Sequence, residues 1–301
     1  MENIYKWREL MCDMIQKQLP YFIAEIGINH NGDLDVALEM IKTAKNIGCH
    51  AVKFQKRNPE VCVPVAQRDV LKQTPWGEMS YLEYKKRIEF GFKEYEEIFK
   101  LTKELDIACF ASVWDIDSVN FMKHYTKIVK IPSAHLNNYN LVCYAKEMFE
   151  TLMISTGFST EEDVIRAINL HQPNVVFHSV GSYPTSIEDV NLSYIKHLAE
   201  LPYTPNVAIK NCYSVGYSGH ELELDIPIAA WALYDAMAIE KHVTFDKNMW
   251  GSDQKASITF DEYAKIINSI ETMYKVSGET LSERVLLDCE KSKVTTLKTC
   301  K

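Results

Sequence analysis

Short apolar runs punctuate this chain, and the stretches between them carry apolar residues at every third or fourth position. The first run, YFIAEIGINHNG at 21–32, looks like a buried strand yet contains a carboxylate, Glu25, and ends in Asn29, His30, Asn31 and Gly32. Others are AVKFQ at 51–55, IACFAS at 107–112, IVKI at 128–131, LMIS at 152–155, VVFHS at 175–179, a less clear one near 207–215, and AIEKH at 238–242. Counted from Tyr21, these predict eight strands. DLDVALEMIKTAKNIG at 33–48 sets Leu34, Ala37, Met40, Ile41, Ala44 and Ile47 at helical spacing, with Asp33 as N-cap and Gly48 as the stop. Similar patterns at 81–105, 161–170 and 261–274 predict further helices. Strands and helices in alternation over about 250 residues predict a (β/α)8 TIM barrel, an α/β single domain. No GxGxxG turn supports a doubly wound sheet instead. The expected layout is a helical extension at 1–20, the barrel at 21–280 and a tail at 281–301. The segment 56–79 is long for a barrel loop, which makes it a candidate for function.

Composition narrows the classes. With 301 residues, 47% hydrophobic and 25% charged, the chain can bury a large core. A net charge of -8 offers no basic face to a phosphate backbone, so nucleic acid is not an expected partner. Cys12, Cys49, Cys62, Cys109, Cys143, Cys212, Cys289 and Cys300 show no CxxC and no regular spacing, and are expected as reduced, mostly buried thiols. Residues 1–20 are amphipathic and charged throughout, unlike a signal peptide, and no stretch has the roughly 18 apolar residues of a membrane span. A cytoplasmic location is expected.

In a barrel of this kind the chemistry sits at the C-terminal ends of the strands. The polar residues there are Glu25 and Asn29, Lys53 and Gln55, Ser112, Lys130 and Ser133, Ser155, Tyr183, Ser218 and His220, and His242. Lys53 and Lys130 lie in otherwise apolar strands, where an unpaired ammonium costs several kcal/mol. Core carboxylates such as Glu25 or Glu240 could satisfy them, an anionic ligand could, or one could form a Schiff base. The serines beside them favour a phosphate or carboxylate ligand. His220, after a GYSGH turn, and His242 would project from neighbouring strands and could hold a divalent metal with positions open to water and substrate. His30, His135 and His178 also lie near strand ends, and spacing alone does not choose among them. Asp253, in the polar loop after His242, could bind substrate hydroxyls or cap the helix that begins near Asp261; the cap is the plainer reading.

The ordered motifs EIGINHNGD, AVKFQ, KIPSAHLNN, ISTGFS, YPTSIEDVNL, GYSGH and IEKHVTFDKNMWGSDQKAS, spread over about residues 20–260, resemble the sialic acid synthase family. That resemblance implies a (β/α)8 barrel and a divalent metal, Mn2+ or Mg2+. The implied reaction joins C3 of phosphoenolpyruvate to the aldehyde of an N-acetylated hexose, N-acetylmannosamine first among candidates, giving a nonulosonic acid and phosphate. Sibling synthases of the family make legionaminic or pseudaminic acid instead, and a non-catalytic barrel used as a binding protein is the other alternative. By the resemblance, His220 and His242 are metal ligands, and Glu25 acts beside the metal through its water. Lys53, Ser112, Lys130, Ser133, Ser155 and Ser218 hold phosphoenolpyruvate, with Lys53 and Lys130 catalytic alongside Glu25. Gln55, Tyr183 and Asp253 face the sugar.

Four features depart from the family pattern. His135 stands where bacterial N-acetylneuraminate synthases have a Glu, Gly181 where they often have Asn or Ser, and Gln254 where they have a His. The sequence ends in LSERVLLDCEKSKVTTLKTCK, too short and too charged for the family's C-terminal antifreeze-like module, which supplies an arginine to the partner subunit's sugar site. The expectation is a barrel without that module, a possible homo-oligomer whose sugar contacts are altered.

Overall fold

The computed structural model describes residues 19–201, 213–277, 290, 291 and 293. Most of the expected extension at 1–20 and of the tail at 281–301 lies outside these residues, as do 207–212 of the less clear seventh run. The chain order begins with β1 (Tyr21–Gly27), α1 (Leu34–Asn46), β2 (Ala51–Lys56) and the short α2 (Pro59–Cys62). A hairpin of β3 (Leu71–Thr74) and β4 (Gly77–Ser80) leads to α3 (Tyr81–Ile88) and α4 (Phe92–Glu104). Then come β5 (Ala108–Val113), β6 (Ile128–Ile131), β7 (Thr151–Ser155), β8 (Val175–His178), β9 (Ser214–Gly219) and β10 (Ala238–Thr244), with helices between them. All strand pairs around the ring are parallel, in the order β1-β2-β5-β6-β7-β8-β9-β10, and β1 pairs with β10 to close it. A two-residue strand, β11 (Ile258–Thr259), adds to β10. The protein is therefore an eight-stranded TIM barrel.

Alternation along each strand builds two cores. Phe22, Ala24 and Ile26 of β1 face outward and pack with Ala37, Met40, Ile41 and Ala44 of α1. α1 forms where it does because the Asp33 carboxylate accepts from Val36 N and its buried residues recur at helical spacing. Tyr21 and Ile23 face inward with Phe110, Met153 and Phe177, filling the barrel floor. Burying an aliphatic or aromatic side chain of this size stabilises by roughly 1.5–3 kcal/mol. The floor lies below the site, whose cavity is at the upper end of the barrel.

Two expectations change. The seventh strand is Ser214–Gly219, so the GYSG expected as a turn is the strand itself. Its signal is weak because a Cβ at Gly216 would lie 2.7 Å from the Phe177 ring and 3.0 Å from the Ala238 carbonyl; glycine lets Phe177 fill the floor. The helix expected at 81–105 is two helices. Glu89 is extended between them, its carboxylate bonded to Lys56 Nζ at 2.8 Å and Arg57 N at 3.1 Å, and Gly91 restarts the helix with Glu94 reaching back to its N–H. The segment 56–79 is not a bare loop but carries α2 and most of the hairpin. Among the described cysteines, Cys49 and Cys109 are buried, Cys62 is half-buried and Cys143 exposed, all as free thiols.

Candidate active site

On nearly every strand the inward positions are apolar at the bottom and polar at the top. β1 reads Tyr21, Ile23, Glu25; β2 reads Ala51, Lys53, Gln55; β10 reads Ala238, Glu240, His242. The same change gives Ser112 above Phe110, Lys130 above Ile128 and Ser155 above Met153. Register then sets neighbours: Glu25 lies opposite both His242 and Lys53, Ser112 opposite Gln55 and Lys130, and Ser218 opposite Glu240. Every residue given a role by the family resemblance lines one cavity of about 400 Å³ at this end. At Gly27, with φ +56°, the strand bulges; a Cβ there would approach Gln55 Nε2 to 3.1 Å and Glu25 Oε1 to 3.2 Å.

The two lysines are paired with carboxylates. Lys53 Nζ lies 2.9 Å from Glu25 Oε2 and 3.4 Å from Glu240 Oε1, and Lys130 Nζ lies 2.8 Å from Glu240 Oε1. The carboxylate pairing considered from sequence is thus what the structure holds, and it is compatible with a ligand above the same ammonium groups. Glu240 sits between both ammonium ions, which outweigh its burial and hold its carboxyl down at about 2. Glu25 touches one lysine; burial dominates and, with Glu240 nearby, pushes it up to about 7. Burial lowers Lys130 to about 8 against the pull of Glu240.

His220 and His242 meet above this cluster, with ring centroids 5.6 Å apart and the Tyr183 ring 3.8 Å from His220. His220 Nδ1 donates to the Val180 carbonyl at 2.9 Å, which leaves the Nε2 lone pair available. His242 Nδ1 is buried without a hydrogen-bond partner. Burial, with His242 adding to it, lowers His220 to about 3, and burial lowers His242 to about 4, so both rings are neutral at pH 7. Two neutral imidazoles with available nitrogens fit a divalent metal. Among the described residues no group of three or more His, Cys, Asp and Glu forms a protein-only cage.

Hydroxyls ring the lower wall. Ser218 Oγ donates to Glu240 Oε1 at 3.1 Å, Ser112 Oγ faces the Phe54 carbonyl at 3.5 Å, and Ser133 Oγ accepts from Gly157 N at 3.1 Å. Ser155 Oγ is buried with no partner. On the upper wall, Gln55 Nε2 lies 3.3 Å from Glu25 Oε1 and 3.4 Å from Asp253 Oδ2. Asp253 does not cap the last helix, Phe260–Ser277; Thr259 and Glu262 close that end through Thr259 N to Glu262 Oε2 at 2.7 Å. Its carboxyl stays low because His242, Ser252 and Arg57 outweigh burial.

Arg57, Trp114, Phe158, Ser179, Ser252 and Glu240 also line the cavity and were not assigned to it from sequence. Glu240 was legible by alternation, two residues before His242 on the same face. Arg57 continues the Lys53, Gln55 series one step past the strand end. Asn29 does not reach the cavity: its Nδ2 ties down the Val243 carbonyl and Ser257 Oγ, each at 2.8 Å. Gln254, fully buried, bonds Thr244 Oγ1 and the Asn29 carbonyl, so it braces the loop below Asp253. His30 stacks on Phe90 at 4.0 Å, His178 bonds the Val190 carbonyl at 2.7 Å, and His135 packs against Trp114, all off the cavity wall. At Gly181 the space of a side chain is taken by the Phe158 ring, 2.5 Å from where a Cβ would stand.

Comparison with known proteins gives a consistent picture. A model of the NeuB family matches residues 40–282. An N-acetylneuraminate-9-phosphate synthase of Drosophila melanogaster is 36% identical over 280 residues, covering 89% of this chain and 72% of the relative. An N,N'-diacetyllegionaminic acid synthase of Campylobacter jejuni is 31% identical over 271 residues, covering 87% and 78%. Among solved structures, a sialic acid synthetase from Leptospira borgpetersenii in complex with citrate aligns with TM-score 0.75 at 27% identity, over 94% of this chain and 93% of that one.

Proposed function

The chain belongs to the NeuB family of sugar-acid synthases, and on that premise we propose that it condenses phosphoenolpyruvate with an N-acetylated hexose to a nonulosonic acid and phosphate. The acceptor skeleton we favour is N-acetylmannosamine. The observation that carries the reading is the placement of Glu25, with its raised carboxyl pKa, between Lys53 on one neighbouring strand and His242 on the other. Lys53, Lys130 and the hydroxyls of Ser112, Ser133, Ser155 and Ser218 would hold the donor's carboxylate and phosphate, fixing C3 toward the acceptor aldehyde. Gln55, Tyr183 and Asp253 would orient the acceptor. Glu25, half-protonated near neutral pH, gives its proton to the aldehyde oxygen as the carbon–carbon bond forms. It takes one back from the water that adds at C2, and loss of phosphate leaves the 2-keto acid. A divalent metal at His220 and His242, manganese or magnesium, would supply Lewis-acid polarisation of the acceptor carbonyl.

Phosphate release from phosphoenolpyruvate, assayed with Mn2+ against a panel of N-acetylated hexoses and diacetamido sugars, tests this. Release that depends on an N-acetylated hexose, and that His220→Ala or His242→Ala abolishes, supports it; no release with any sugar ends it. A second reading has one observation behind it: the lowered Lys130 ammonium, 4.2 Å from the Phe177 ring, resembles an imine-forming lysine. Borohydride trapping with pyruvate would then leave a covalent adduct, and activity would survive EDTA.

A further inference from the structure

The pairing of β9 with β10 ends at Gly219 opposite Lys241, one residue before each of the two site histidines. Beyond that point the histidines have separate supports. His242 is still paired with Glu25 of β1, whereas His220 is held by the segment after β8, through its Nδ1 to the Val180 carbonyl at 2.9 Å and through its own carbonyl, which accepts from Thr185 N at 3.2 Å. Behind them, on the outward face of the strands, lies a polar group that the proposed reaction does not use. Lys241 Nζ donates to Glu221 Oε1 at 2.8 Å and to the Glu221 carbonyl at 2.6 Å, and the Tyr217 hydroxyl donates to Glu221 Oε2 at 2.7 Å. The side chains of Lys241 and Glu221 are fully buried, and Tyr217 is buried beside them. Gly219 makes the room: a Cβ there would collide with Glu221 Oε2 and the Tyr217 hydroxyl.

Stability alone does not call for an ion pair in that layer. Taking both charges out of water offsets most of their attraction, and apolar side chains of similar volume would hold the layer as well or better. What the pair has that apolar packing lacks is direction. An ammonium fixed at two oxygens of residue 221, and a carboxylate fixed by two donors, permit one arrangement. The residues joined in this way are the chain neighbours of the histidines, since Glu221 follows His220 and Lys241 precedes His242. Alternation turns Lys241 outward where His242 turns inward. The nearby His178 does not compete for Glu221, because its ring lies 5.9 Å from the Tyr217 ring and its Nε2 is taken by the Val190 carbonyl. A metal site tolerates only about 0.5 Å of error in the placing of its ligands.

We propose that Tyr217, Glu221 and Lys241 are positioning residues, whose buried network joins β9 to β10 behind the site and sets the separation of the His220 and His242 rings for a divalent cation. This rests on the reading of those histidines as metal ligands. It adds that the charge pair is kept for the geometry of the histidines rather than for stability. None of the three residues lines the cavity, so their effect on the site passes through the two rings.

The test replaces the network as a unit in the full chain, with Tyr217→Phe, Glu221→Leu and Lys241→Met together, so that no buried charge is left stranded. The triple variant should melt at or above the wild-type temperature. Its dissociation constant for Mn2+, measured by calorimetry, should nevertheless rise about 10- to 100-fold, as for other residues that orient metal ligands. Glu221→Gln keeps the shape and the bond from Tyr217 but weakens the bond from the ammonium, and should give a smaller rise. Wild-type Mn2+ affinity in the triple variant, or in Glu221→Gln where the triple variant does not fold, overturns the proposal. So does a loss of affinity matched by a loss of melting temperature, which would make the network structural only. If the wild type shows no Mn2+ binding that His242→Ala removes, the metal reading fails, and crystals of the metal-free triple variant decide this inference. Rings displaced from their separation of 5.6 Å between centroids support it, and rings left in place overturn it.

Discussion

At the scale of single residues, the site is set by what each side chain lacks as much as by what it touches. Ser155 Oγ is buried without a partner, so removing it costs little in the empty protein. Ser155→Ala should leave the melting temperature unchanged or slightly raised while KM for phosphoenolpyruvate rises about tenfold, the loss of one hydrogen bond to a charged group. An unchanged KM with lowered stability would reverse that assignment. Glu25 and Glu240 share a cluster but differ in state, and their amides should separate them. Glu240→Gln leaves Lys130 and Lys53 short of a counter-charge and should destabilise by about 3–5 kcal/mol in urea denaturation. Glu25→Gln replaces a group only about half-ionised near neutral pH, so it should lose most of kcat with a smaller loss of stability than Glu240→Gln. Equal destabilisation by both would show that Glu25 is a structural ion pair. The sequence made Glu25, Lys53 and Lys130 legible because charge inside an apolar run needs a reason. Arg57 and Trp114 were not legible, because they follow the strand ends, where polar and aromatic residues are ordinary.

At the scale of elements, the barrel strands were read correctly wherever alternation or an apolar run was intact. The exception was Ser214–Gly219, whose glycines answer to the bulk of Phe177 on the neighbouring strand, a non-local cause that no window of sequence contains. The break between α3 and α4 has a similar origin, since Glu89 is held by Lys56 and Arg57 at the end of β2. His30 belongs to the same scale: it fixes the β1–α1 turn by stacking on Phe90 and accepting from Gly32 N at 3.0 Å. Burial lowers its folded-state value from 6.5 to about 3. A depressed value means its contribution to stability is full above pH 6.5 and is lost as pH falls toward 3, because the unfolded chain takes up the proton first. Between pH 7 and 5 the urea midpoint of wild type should fall more than that of His30→Phe, which keeps the stack and cannot protonate. Parallel falls in the two proteins would remove His30 as a contributor.

At the scale of the whole molecule, the (β/α)8 reading follows from the closed ring of parallel strands, and the ring explains why residues more than two hundred positions apart in sequence can meet. Closure also sets the electrostatics of the mouth. Lys53, Lys130 and Arg57 stand against Glu25, Glu240 and Asp253, so the cavity walls are formally neutral when all six are ionised. A donor with about three negative charges therefore enters a site whose own residues do not balance it, in a low-dielectric pocket where imbalance is costly. A protonated Glu25 and a divalent cation at His220 and His242 would together restore the balance. If so, cation and donor binding are linked, and linkage is reciprocal. Phosphoenolpyruvate should bind at least tenfold more tightly to Mn2+-loaded protein than to EDTA-treated protein in calorimetry, and Mn2+ should bind more tightly by the same factor when the donor is present. His242→Ala should abolish the coupling. Donor affinity that is the same with and without the cation would mean that Lys53 and Lys130 release their carboxylates to hold the donor unaided.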